Sequence, residues 1–146
     1  MSMLTKLKYA GVSQEDLLDI FKLFIRSVTE YCAVAFHSSL TLEQSSKIEQ
    51  IQKVCLKVIL GHMYMSYTSA LEMSGLKQLS DRREDRCLDF AKKCVKHPKN
   101  NRLFPIRKTT AKNIRREETF EVNFASGGKY QKSAIPYCQR LLNEKS

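Results

Sequence analysis

The chain has 146 residues, 42% of them apolar and 27% charged, with 25 Lys and Arg against 15 Asp and Glu for a formal net charge of +10. That length suits one domain with a modest core, and no run of about 18 apolar residues marks a membrane span. The N-terminal "MSMLTKLKYAGVS" lacks the apolar centre of a secretory signal.

The first expected helix starts at Ser13, an N-cap with Asp16 three positions on and Glu15 beside it, where acids suit the positive helix end. Leu17, Phe21, Phe24, Val28, Tyr31 and Ala35 follow at helical spacing, with Leu18, Ile25 and Cys32 as a second row. Two apolar rows predict burial over a wide arc, as in a central helix of a bundle. Arg26 and Glu30, four apart, are placed to pair along its side.

The segment "HSSLTLEQ" stops that helix and opens another, with Thr41 as N-cap and Gln44 completing a capping box. Ile48, Ile51, Cys55, Val58 and Ile59 predict its buried stripe, and Gly61 its stop. The short junction predicts two antiparallel neighbours. A brief helix is expected around "SALEMSG", with Ser69 as cap and Gly75 as end. A fourth starts at Ser80 or Asp81, buries Cys87, Ala91, Cys94 and Val95, and stops before Pro98.

After Pro98 the helical periodicity fades and the charge rises. Residues 1–97 carry 14 basic and 11 acidic side chains, whereas residues 98–146 carry 11 and 4. "FEVNF" alternates like a short strand, "SGG" is a break, and "IPYCQRLLN" predicts a short terminal helix with Pro136 in its first turn. The expected architecture is therefore all-α: a bundle of about four helices over 1–97, then an extended, partly disordered basic arm over 98–146.

Cys32, Cys55, Cys87, Cys94 and Cys138 are odd in number and contain no C-x-x-C pair. The first four fall on apolar helix faces, which points to packed, reduced thiols in an intracellular compartment. Cys87, Cys94 and His97 share one helix, whereas tetrahedral zinc sites usually draw ligands from two elements. His37 beside Ser38 and Ser39 sits at a helix junction, where serine serves turn chemistry, and there is no Gly-x-Ser-x-Gly elbow. His62 follows a helix-ending glycine with no carboxylate beside it. The acids of "DRREDRCLD" alternate with arginines as surface ion pairs do. No glycine-rich phosphate loop precedes a Lys-Ser/Thr pair. Thus no catalytic residue, metal ligand, cofactor or small-molecule substrate is expected.

The remaining signal is cationic. "RLFPIRK", "NIRREETF" and "GGKYQK" interleave rings with basic side chains. Cations hold phosphates and exposed rings stack on bases, so a polyanionic partner, nucleic acid first, is expected. A solubilising tail whose Phe104, Phe120 and Phe124 dock on a neighbouring surface has the same composition.

Taken together, "FIRSVTEYC" (Phe24–Cys32), "HSSLT", "IEQIQK", "LKQLSDRREDRCLDFAKKC" (Leu76–Cys94) and "YQKSAIPYCQRLLN" (Tyr130–Asn143) resemble the region after the polymerase core in reverse transcriptases of non-LTR (LINE-type, Jockey- and RTE-like) retrotransposons. The likeness runs over almost the whole chain. One departure is Phe36, where the family usually carries Trp; the smaller ring lacks the indole N–H. The resemblance implies a thumb region and C-terminal extension of an RNA-directed DNA polymerase, without the palm and fingers that carry the metal site. It implies a non-catalytic grip on RNA or an RNA–DNA hybrid. The expected phosphate contacts are Lys92, Lys93 and Lys96 on the fourth helix and Arg107, Lys108, Arg115 and Arg116 on the arm. The competing expectation is a stand-alone helical protein-interaction module, exposing the face that once met the palm.

Overall fold

The computed structural model describes residues 3–106, 119–122 and 127–145. These residues are predominantly helical, and the chain is all-α in class. The one β feature among them is an isolated antiparallel bridge between Ile106 and Phe120. The chain divides into two compact units: Met1–Tyr31 with Leu40–Arg82, and Cys32–Ser39 with Arg83–Ser146. This division differs from the one expected at Pro98, where helical periodicity fades and the charge rises.

In the first unit, α1 (Met3–Tyr9) precedes α2 (Gln14–Ile20). Ser13 caps α2 as expected, its Oγ accepting from the Asp16 N–H at 3.2 Å. The helix then departs from the expected single rod. Phe21–Ile25 form a π-helical turn, with the Arg26 N–H donating to the Phe21 carbonyl five residues back. Ser27 Oγ donates to the carbonyls of Leu23 and Phe24 at 2.6 and 2.8 Å. The extra residue in such a turn rotates everything after it by about 100°.

That rotation corrects the expected stripe. Leu17, before the turn, and Phe21, its first residue, are buried. Phe24, Val28 and Tyr31 are 62%, 76% and 76% exposed, while Glu30 turns inward. A short α3 (Arg26–Thr29) ends the segment, and Cys32 adopts a left-handed conformation with φ of 52°. For a non-glycine residue that geometry costs about 1–3 kcal/mol.

The turn α4 (Ala33–Phe36) belongs to the second unit, and the long helix α5 runs Leu42–Leu60. Its capping box is present as expected: the Gln44 N–H donates to Thr41 Oγ1 at 3.2 Å, and the Thr41 N–H to Gln44 Oε1 at 2.9 Å. Its buried side differs from the expected one. Cys55 and Ile59 are inside, but Ile51 is exposed, and Glu49, Gln52, Leu56 and Leu60 complete the buried set. At the other end, Lys8 Nζ from α1 donates to the carbonyls of Val58 and Ile59 at 2.6 and 3.2 Å. A cation there satisfies orphan carbonyls and opposes the negative helix end.

α6 (Tyr67–Ser74) begins three residues earlier than expected because Ser66, not Ser69, is the cap, and it ends at Gly75 with φ of 62°. Leu4, Leu17, Phe21, Cys55 and Ile59 form one buried cluster; Leu56, Leu60, Ala70 and Leu71 form another. Fully burying one such leucine or phenylalanine contributes about 1.5–3 kcal/mol.

α7 (Leu79–Lys96) starts in the first unit and continues in the second. Its start is not held by Ser80 or Asp81 in the expected way. The Glu49 carboxylate, buried on α5, accepts from the N–H groups of Leu79 at 3.0 Å and Ser80 at 3.3 Å. A carboxylate at a helix N-terminus meets free donors and the positive end of the dipole. The Tyr67 hydroxyl also donates to Glu49, and Gln52 Nε2 donates to Tyr67 at 2.9 Å and to the Lys77 carbonyl at 3.0 Å. Burial, then the bond to Glu49, hold the Tyr67 phenol well above its usual range. Glu30 receives Arg82 through two bonds, at 2.6 and 3.1 Å.

The second unit gathers short pieces. Cys87, Ala91 and Cys94 of α7 pack with Phe104, Phe120 and Cys138, Leu141 and Leu142 of the terminal helix α9 (Ala134–Glu144). α8 (Gly128–Gln131) precedes it. The terminal helix is where the sequence predicts it, with Pro136 buried in its first turn. Phe104 and Phe120 are core residues of this unit, so part of the expected arm is folded structure. Gln139 Nε2 donates to the Leu103 carbonyl at 2.7 Å, and Asn143 brackets Phe120 with two backbone bonds at 2.9 Å.

Candidate nucleic-acid interface

The cationic site is built on the second half of α7. At about 100° per residue, Cys87, Ala91 and Cys94 share one side and Lys92, Lys93 and Lys96 fall on the other. Burial follows that geometry: the two cysteines and the alanine are inside, and all three lysines are exposed. The apolar side thus fixes the direction in which the lysines point. They also stand near the negative end of the helix dipole, which stabilises them there. Before them α7 mixes Asp81, Glu84, Asp85 and Asp89 with Arg82, Arg83 and Arg86, so the net positive charge of the helix lies in its second half.

Exposed Lys99 and Arg102 follow α7 in the same unit, and exposed Lys129 and Lys132 precede α9. Arg102, Lys129 and Lys132 belong to the segments "RLFPIRK" and "GGKYQK", in which the sequence interleaves rings with cations, whereas Lys99 lies in neither. Arg107, Lys108, Arg115 and Arg116 lie outside the described residues. So does Phe124; Phe104 and Phe120 are buried, which removes both rings from the set available for stacking on bases.

The other sequence candidates separate. Cys87 and Cys94 are buried whereas His97 is exposed, its Nδ1 accepting from the Lys99 N–H at 3.3 Å. Among the described residues, no three His, Cys, Asp or Glu side chains converge as a metal site. His37 Nε2 meets the Tyr137 hydroxyl at 3.1 Å, ring edge to ring face, and Ser39 Oγ donates to the Phe36 carbonyl. Burial, then the Arg83 guanidinium, push the His37 pKa below its ordinary value, partly offset by Glu84. Burial pushes Tyr137 up to about 12. Arg83 itself is wholly buried in this unit. No helix among the described residues is long and apolar enough to cross a membrane.

No protein-family model, curated protein or solved structure matches this chain.

Proposed function

We propose that the chain is a non-catalytic grip on the sugar-phosphate backbone of RNA or an RNA–DNA hybrid, acting inside the cell. In this reading it is the thumb-like bundle and basic C-terminal extension of a non-LTR retrotransposon reverse transcriptase, whose palm and fingers supply the chemistry. The observation that carries it is the exposed arc of Lys92, Lys93 and Lys96 on a helix whose opposite side is locked into a core. Arg107, Lys108, Arg115 and Arg116 add cations from the extension. Such contacts position a duplex without reading its bases. The order and spacing of the motifs from Phe24 to Asn143 support the same parentage.

Binding of an RNA–DNA hybrid over a salt series tests this. Affinity should fall linearly in log–log terms, with a slope of about −0.9 per phosphate contact. A salt-independent interaction, or no binding at low salt, removes the reading. The exposed Phe24, Val28 and Tyr31 favour a second reading, a helical protein-interaction module. A stable dimer in sedimentation that ignores nucleic acid selects that alternative.

A further inference from the structure

α7 and α9 each contribute one cysteine to the same spot in the second unit. The Cys138 thiol donates to the Cys87 carbonyl at 3.6 Å, across 51 residues of sequence. Both side chains are 0% exposed. They belong to one core cluster with Ala91, Leu141 and Leu142. Two helices far apart in sequence thus place two buried thiols in the same cluster.

We propose that Cys87 and Cys138 are a redox pair that a hydroperoxide converts to an intramolecular disulfide, fastening α9 to α7. The Cys87 sulfur attacks a peroxide oxygen, the O–O bond breaks, and the sulfur becomes a sulfenic acid while the departing oxygen takes a proton to form water. The Cys138 sulfur then attacks the Cys87 sulfur, an S–S bond forms, and the sulfenic oxygen leaves with a proton as a second water. Two thiols lose two electrons and one hydrogen peroxide gains them. The assignment of roles follows the local bonding. The Cys138 thiol gives its proton to the Cys87 carbonyl, and that bond holds Cys138 in its protonated form. Cys87 is therefore the thiolate that attacks first and Cys138 the resolving thiol. Since neither sulfur is exposed, peroxide enters during local openings of the unit, and the reaction is slower than at exposed Cys32.

The test uses the full chain. Cys32 is first blocked in the folded protein with N-ethylmaleimide. Hydrogen peroxide is added, the sample is quenched in acid and unfolded, and the remaining thiols are alkylated with iodoacetamide. The pair predicts two fewer alkyl adducts than an unoxidised control, a mass loss of about 2 Da before alkylation, and full recovery after reduction. Tryptic mapping of the wild-type chain should show the Cys87 and Cys138 peptides joined. The Cys138→Ser variant keeps the attacking Cys87 but has no resolving thiol, so it should form no cross-link and lose one adduct rather than two, and the wild-type peptide map decides the matter if that variant does not fold. An undiminished adduct count overturns the proposal. So does a link through Cys94 or Cys55, or sulfinic acid at Cys87 with no cross-link.

Discussion

The first unit is assembled mainly from α1, α2, α5 and α6 and the helix ends that these present to one another. The second is assembled from fragments: one turn at Ala33–Phe36, half of α7, single phenylalanines at 104 and 120, and α9. Its contacts span long stretches of chain, as in the His37–Tyr137 pair, 100 residues apart. Local capping therefore describes the first unit well, while apolar periodicity describes α7 and α9 of the second better than the π-interrupted segment of the first. Average charge describes the second badly, because a cation-rich segment also supplies part of its core.

The sharpest way to break this comparison is Phe104→Ala. A core phenylalanine removed without collapse costs about 3–5 kcal/mol. We expect the denaturant midpoint to fall accordingly, with lost amide protection in α9. If residues after Pro98 were only a solubilising tail, the midpoint would not move. In the first unit, Glu49→Ala should cost about 1–3 kcal/mol, because buried N–H groups at the start of α7 and the Tyr67 hydroxyl lose their acceptor. Fraying confined to the first turn of α7 in hydrogen exchange would identify the cause. An unchanged midpoint would mean that α7 begins without this carboxylate.

These two sites show why part of the fold was legible and part was not. Ser13, Thr41 with Gln44, Gly61, Gly75 and Pro98 act on residues within one helical turn, and each was readable from spacing alone. Glu49 capping α7 and Lys8 capping α5 act across about 30 and 50 residues, a partnership that no local pattern encodes. The π-turn at Phe21–Ile25 is a third case. It adds one residue to the turn, and an apolar row drawn at regular spacing then predicts burial for Phe24, Val28 and Tyr31, which are exposed. The lysine arc on α7 was legible because that helix is regular and its apolar side is well defined. The arginines and lysine at 107, 108, 115 and 116 had only composition behind them.

A smaller effect should separate the units by pH. His37 binds its proton less readily folded than unfolded, so the second unit gains stability from neutral His37 above the ordinary histidine pKa of about 6.5. That stability is lost as pH falls from there through the lowered folded value. Denaturant midpoints of the wild-type chain should decline over this range more steeply than those of His37→Gln. Equal declines would mean that His37 titrates as it does unfolded.

The smallest effect on stability, and the most direct test of the central claim, comes from changing Lys92, Lys93 and Lys96 together to alanine. Their exposure predicts a denaturant midpoint close to wild type. Hybrid binding measured over a salt series should nonetheless weaken for every sequence tried, and the log–log salt slope should shrink in magnitude by about three, one for each phosphate contact removed. A triple variant that folds normally and keeps the wild-type affinity and slope would contradict the account.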